Sequence, residues 1–154
     1  MIPMKKIALI PGTFDPVTIG HLELVRFASG VFDEVVVCIC VNPDKKHLFA
    51  ETERREMLER AVASFSNVRV DVQHGMTADY AVSIGAEYIV RGIRNAADAE
   101  YELKMADFNL NYRGIRTIFV PARAEIAEVS STAVREKLAR GESVDSLVPV
   151  DLHI

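Results

Sequence analysis

The sequence is poor in the residues on which most metal-binding and nucleic-acid-binding proteins depend. It has two cysteines and four histidines. Cys38 and Cys40 lie two residues apart in an apolar stretch, so on a strand they share one face. They read as small buried hydrophobes, and the scattered histidines give no spacing for a zinc site. Positive charge is also scarce: 18 Lys and Arg against 22 Asp and Glu leave a formal net charge of −4. That balance argues against a nucleic-acid binder, which carries a basic excess or stripe. No apolar run approaches the roughly 20 residues of a membrane span. Lys5 and Lys6 precede the apolar Ile7-Ala8-Leu9-Ile10, as in a signal peptide, but Pro11-Gly12 stops that run too early for a signal core. The expectation is a cytoplasmic protein with neither membrane nor nucleic acid as a partner. Internal repeats and low-complexity linkers are lacking too.

What remains is an ordinary globular composition, 49% hydrophobic and 26% charged over 154 residues, which is one domain by length and enough chain to bury a core. Short apolar runs predict strands over 7–10, 35–41, 68–72, 87–90 and 117–120. Helical spacing predicts helices over 22–29, 52–65, 78–84, 98–112 and 131–140. Thr52 reads as the cap of the second helix. Gly30, Gly85, Gly114 and Gly141 read as helix stops, and 144–154 as a further helical turn. Strands alternating with helices imply parallel βαβ units. The fold class is therefore α/β: a doubly wound, Rossmann-like, parallel five-stranded sheet in a single domain spanning 1–154.

The most informative stretch is Pro11-Gly12-Thr13-Phe14-Asp15-Pro16-Val17-Thr18-Ile19-Gly20-His21. A buried strand, a loop with two glycines and a helix start, in that order, build a phosphate site. Glycine lets the backbone approach an anion, and the helix N-terminus offers unpaired N–H groups and a positive dipole end. His21 falls in the first helical turn, where its ring can face whatever the loop holds. Asp15-Pro16 reads as a turn former without a chemical role. Phe14 either lines the site or packs. The other motifs follow strand ends as well: Asn42 to Lys46, Arg91 to Arg94, and Arg123 to Thr132. In doubly wound sheets ligands sit beyond those ends, so all four loops converge on one site.

Three blocks carry a family resemblance. G-T-F-D-P-x-T-x-G-H at 12–21 is similar to the signature of the nucleotidyltransferase superfamily related to class I aminoacyl-tRNA synthetases. Arg91-Gly92-Ile93-Arg94 followed by Asp98-Ala99-Glu100-Tyr101-Glu102, and Val129-Ser130-Ser131-Thr132, resemble two further patterns of the phosphopantetheine adenylyltransferase family. Order and spacing fit from about residue 5 to residue 150. Thr18 stands where cytidylyltransferases usually carry a first histidine, which favours the phosphopantetheine branch. Glu125-Ile126-Ala127-Glu128 departs from the family, many members of which have aromatic residues just before the third block.

The resemblance implies transfer of an adenylyl group from ATP to 4′-phosphopantetheine, giving dephospho-coenzyme A and pyrophosphate. Coenzyme A is a further implied ligand, a homohexamer the implied assembly and Mg²⁺, held through the phosphates with no protein metal ligands, the implied cofactor. His21, Lys45 and Arg94 would supply positive charge to the reacting phosphates. Thr13, Phe14, Gly92, Ile93, Arg94, Glu102, Ile126, Ala127, Glu128, Val129, Ser130, Ser131 and Thr132 would join His21 around ATP. Thr13, Lys45, Thr77 and Arg91 would meet phosphopantetheine. Each also has a plainer reading. Thr13 can be a turn hydroxyl, Lys45 and Lys46 a solvated turn, Thr77 and Ser130 helix caps. Arg91 and Arg94 can be surface partners of Asp98, Glu100 and Glu102.

A phosphate monoester is already an anion at neutral pH, so the implied reaction needs no general base. Positioning and positive charge suffice for an in-line displacement. A rival is a glycerol-phosphate cytidylyltransferase, which shares the first block. A rival of another class is a non-catalytic nucleotide sensor on the same fold.

Overall fold

In the computed structural model, which describes residues 4–152 and 154, the five strands form one parallel sheet. They are β1 (Ile7–Gly12), β2 (Glu34–Cys40), β3 (Val68–Gln73), β4 (Tyr88–Ile93) and β5 (Arg116–Pro121), in the order β3-β2-β1-β4-β5. The chain starts at the centre, winds one way to β3, then crosses back to β4, so the order reverses beside β1. Between the strands run α1 (Ile19–Val31), α2 (Glu51–Val62), α3 (Thr77–Ser83) and α4 (Ala96–Arg113), and α5 (Ser131–Ala139) follows β5.

Strand periodicity sorts the core into two faces. Val35, Val37 and Ile39 of β2 point with Ile10 into a cluster shared with Val25 of α1, Leu58 of α2 and Val134 of α5. Val36 and Cys38 point the other way, with Leu9 and Ile89, against Ala81 of α3 and Ile115. Burial on both faces explains why β2 reads as continuous Val and Ile rather than as alternation. No helix among the described residues is long and apolar enough to cross a membrane.

Several boundaries differ from the sequence reading. Gly30 lies inside α1, which ends at Val31. Helix α2 begins at Glu51 with Ala50 at its cap, so Thr52 is a first-turn residue and not the cap, and the helix stops at Val62 rather than Phe65. Strand β4 continues through Arg91, Gly92 and Ile93, because it pairs with β5 as far as Ile93–Pro121. Those residues belong to the strand and not to the loop beyond it. A 3₁₀ turn over Ala124–Ile126 was not expected. Beyond α5 the chain forms turns, Leu147 N–H to Val144 O and Leu152 N–H to Pro149 O, where a further helical turn was expected. Val144, Val148 and Leu152 nevertheless join the main core; His153 lies outside the described residues. Gly114 and Gly141 adopt φ near +70° just past their helices, as expected of helix stops.

Candidate active site

The loop from β1 to α1 is held by its own side chains. Phe14 has φ +48°, which costs an L-residue about 1–2 kcal/mol. Its ring is 1% exposed, and full burial of such a ring contributes about 1.5–3 kcal/mol, so packing offsets the backbone. The missing side chain of Gly12 makes room for that ring: a Cβ there would stand 3.0 Å from a Phe14 ring carbon. Phe14 thus packs and also lines the cleft above. The Asp15–Pro16 peptide is cis.

Thr18 caps α1 and fixes His21. The backbone N–H of His21 donates to Thr18 Oγ1 at 3.3 Å, and the Thr18 N–H donates to His21 Nδ1 at 3.0 Å. Nδ1 therefore carries the lone pair, and the ring proton sits on Nε2. Burial, then the charges of Arg91 and Arg94, push the His21 pKa down to about 4. The ring is a neutral Nε2–H donor before any anion enters; the positive charge that the resemblance implies for it requires a bound polyanion to raise that pKa. The His21 and Phe14 rings meet edge to face, with centroids 4.8 Å apart.

On β4, Arg91 forks onto Glu102 of α4, Nε to Oε2 at 3.0 Å and Nη2 to Oε1 at 2.6 Å, and its Nη1 donates to Pro11 O. A guanidinium has five N–H donors; these three bonds leave two for a ligand. Glu102 is nearly buried, and its carboxylate is committed to Arg91. Arg94 pairs with Asp98 in the first turn of α4, Nε to Oδ2 at 3.0 Å. The surface-pair reading of both arginines is thus realised in the contacts, yet both also line the cleft.

At the start of α5 the hydroxyls are all engaged. Ser130 Oγ accepts from Ala133 N–H as the cap, Ser131 Oγ donates to Pro16 O, and Thr132 Oγ1 accepts from Arg135. These bonds seat the α5 N-terminus against the β1–α1 loop.

All of this surrounds one cleft of about 650 Å³ at the carboxyl edge of β1, β4 and β5. Of the residues singled out from sequence, Thr13, Phe14, His21, Lys45, Arg91, Gly92, Arg94, Glu102, Ile126, Val129, Ser130, Ser131 and Thr132 line it. Ile93, Ala127, Glu128 and Thr77 are not among its lining residues. Thr77 is the first residue of α3 rather than its cap, which is Met76, and its hydroxyl lies 3.7 Å from Cys40 Sγ. Cys40 is correspondingly more than a small hydrophobe. It also accepts from Gln73 Nε2 at 3.4 Å, and hydrogen bonding with Cys38 first, then with Gln73 and Thr77, pulls its pKa down to about 6. Cys38 is fully buried, as expected.

Sequence reasoning missed three groups. Arg26 and Arg135 line the cleft beside Arg123 of the loop after β5, and Asp15 is a buried carboxylate bound to the chain beyond Lys45. No local pattern marked Arg26 and Arg135, because each is a single helical residue brought to the cleft by the fold. With them, six cationic side chains line it against the three acids Glu23, Asp98 and Glu102. On a protein of net charge −4, this cleft is built for a polyanion.

Comparison with known proteins agrees. The cytidylyltransferase-like family model matches residues 9–137. The chain is 42% identical to a phosphopantetheine adenylyltransferase of Kocuria rhizophila over 94% of both chains. It is 43% identical to that of a Nocardioides species, over 95% of this chain and 92% of the relative. A Clostridium novyi phosphopantetheine adenylyltransferase is 39% identical over 94% of this chain and 90% of its own. A solved structure from Vibrio parahaemolyticus, assigned as a nicotinate-nucleotide adenylyltransferase, superposes with a TM-score of 0.71 over 95% of this chain and 88% of its own; at 19% identity it speaks to the fold. The chain belongs to the cytidylyltransferase-like nucleotidyltransferases and, within them, to the phosphopantetheine adenylyltransferase family.

Proposed function

We propose that the protein transfers an adenylyl group from Mg·ATP to 4′-phosphopantetheine, releasing pyrophosphate and dephospho-coenzyme A. The cationic cleft at the switch point of the sheet carries this reading. In it, two phosphate-bearing substrates meet with their charges neutralised by side chains from α1, β4, α5 and the loops after β2, β4 and β5.

The phosphate monoester attacks the α-phosphorus in line, and pyrophosphate leaves toward the α5 N-terminus. The two free N–H groups of Arg91, the Thr13 hydroxyl and the Phe14 N–H hold the nucleophile. His21 Nε2–H, Lys45 and Arg94 stabilise the charge that builds on the transferred group. Val129, Ser130, Ser131 and Thr132 place the dipole end of α5 at the triphosphate. Ile126 runs beside the adenine and Gly92 forms the strand floor under it; Ile93, Ala127 and Glu128, which do not line the cleft, support those two through the backbone. Glu102, expected at the nucleotide, acts instead by orienting Arg91 toward the nucleophile. Thr77 lies toward the pantetheine arm. Mg²⁺ would be held by the ATP phosphates and would lower their charge, because the cleft acids Glu23, Asp98 and Glu102 are each engaged by an arginine.

The same reading gives a cytoplasmic enzyme that binds coenzyme A as a product-like ligand and assembles as a homohexamer. Tyr101, Leu103, Met105, Phe108 and Tyr112 of α4 are exposed apolar side chains available to other copies.

The test is pyrophosphate release from purified protein. It should require ATP and 4′-phosphopantetheine together. Equal turnover with CTP and glycerol 3-phosphate would make the protein a different nucleotidyltransferase. ATP binding without pyrophosphate release would make it a nucleotide sensor.

A further inference from the structure

The loop carrying Lys45 is exposed from Asn42 to Lys46, and its own bonds are few. Asp44 N–H donates to Asn42 Oδ1 and Lys45 N–H to Asn42 O. What ties it to the rest of the site is Asp15, 2% exposed in the β1–α1 loop. Its Oδ2 accepts the Leu48 N–H at 2.8 Å and its Oδ1 the Phe49 N–H at 2.9 Å. Arg54 of α2, equally buried, closes the other side, donating from Nε to Phe49 O at 3.1 Å and from Nη1 to Thr13 O at 2.9 Å. His47 Nδ1 stands 3.7 Å from Asp15 Oδ2 and Arg135 Nη1 4.0 Å from it; Arg135 bonds instead to the Asp15 carbonyl at 2.8 Å. The segment after Lys45 is thus stapled by two side chains to the loop that holds Thr13 and Phe14.

We propose that Asp15 and Arg54 are positioning residues for Lys45, fixing the 42–50 loop so that this lysine reaches the reacting phosphates. The carboxylate suits the task because its two oxygens each take one N–H. Asparagine has the same shape but one acceptor; its amide NH₂ would face the second backbone N–H inside a buried site. Asp15→Asn therefore breaks one arm of the clamp while keeping the carbonyl that Arg135 uses. Arg54→Lys keeps the charge but cannot span both Phe49 O and Thr13 O.

The inference rests on the adenylyl-transfer reading and on the place of Lys45 within it, and the experiment separates the two. Pyrophosphate release is measured for wild type, Lys45→Ala, Lys46→Ala, Asp15→Asn, Arg54→Lys, and each clamp variant combined with Lys45→Ala. Lys45→Ala should lower kcat about thirtyfold, the size expected for one charge-assisted contact. Lys46, which does not line the cleft, should matter less than about threefold when changed to alanine. Asp15→Asn and Arg54→Lys should each lower kcat roughly tenfold, and lower it less than about twofold once Lys45 is already alanine, because residues acting as one unit are not additive. Amide exchange at Leu48 and Phe49 should quicken in Asp15→Asn. Clamp losses that multiply fully with Lys45→Ala, or unchanged exchange at those two amides, overturn the positioning role and leave the lysine's role standing. Near-wild-type activity of Lys45→Ala overturns both.

Discussion

Changing His21 to alanine lowers kcat by at least about a hundredfold and leaves ATP affinity within about tenfold, the pattern of a donor whose bond strengthens in the transition state. The ring is prepared for that task by its neighbours. Thr18 N–H occupies Nδ1, so the proton can only be on Nε2, and burial with Arg91 and Arg94 keeps the ring neutral to about pH 4. Because the capping bond to the ring is also lost, stability falls by about 1 kcal/mol, or a few degrees in Tm. The folded pKa lies below the ordinary 6.5, so between the two values the unfolded chain binds the extra proton. The stability due to the neutral ring is complete above about pH 6.5 and is lost as pH falls toward 4. An NMR titration of the free protein should show this ring uncharged at pH 6, and Mg·ATP should raise its pKa. Activity within threefold of wild type would reduce His21 to a helix-cap residue.

Changing Arg91 to alanine should cost at least about a hundredfold in kcat/KM for 4′-phosphopantetheine, since a charged grip that desolvates on binding is removed. KM for ATP should move less. The variant also strands Glu102, nearly buried and now without its fork, which costs about 1–3 kcal/mol. Glu102→Gln in the same chain separates the two effects. The double variant should recover most of the lost Tm but not the activity. Recovery of both would mean that Arg91 exists to neutralise Glu102 and never touches substrate. Arg91→Lys should rescue only partly, because an ammonium cannot fork onto Glu102 and also reach Pro11 O and a phosphate.

What was legible in the sequence was whatever local chemistry decides. The uncharged, valine-rich β2 announced a strand buried on both faces, and Gly114 and Gly141 announced the ends of their helices. The first-turn position of His21 followed from the strand-loop-helix order. Less legible were features set by residues far apart in the chain. Arg91 to Ile93 looked like a loop because an arginine and a glycine follow an apolar run, but pairing with β5 extends β4 through them. Asp15 looked like half of a turn, since its partners Leu48 and Phe49 are more than thirty residues away. Thr52 has the chemistry of a cap, yet the cap of α2 lies two residues earlier at Ala50, next to Phe49, where Asp15 and Arg54 hold the chain. Arg135 could not be seen to reach the cleft until α5 was seated by Ser131 on Pro16.

The fate of label from ATP tests adenylyl transfer most directly. Purified protein is given 4′-phosphopantetheine and Mg·ATP radiolabelled on either the α- or the γ-phosphorus, and the products are separated. Label from the α-phosphorus should appear in dephospho-coenzyme A, label from the γ-phosphorus in pyrophosphate, one for one. Label from the γ-phosphorus in the organic product, or none there from the α-phosphorus, would contradict adenylyl transfer.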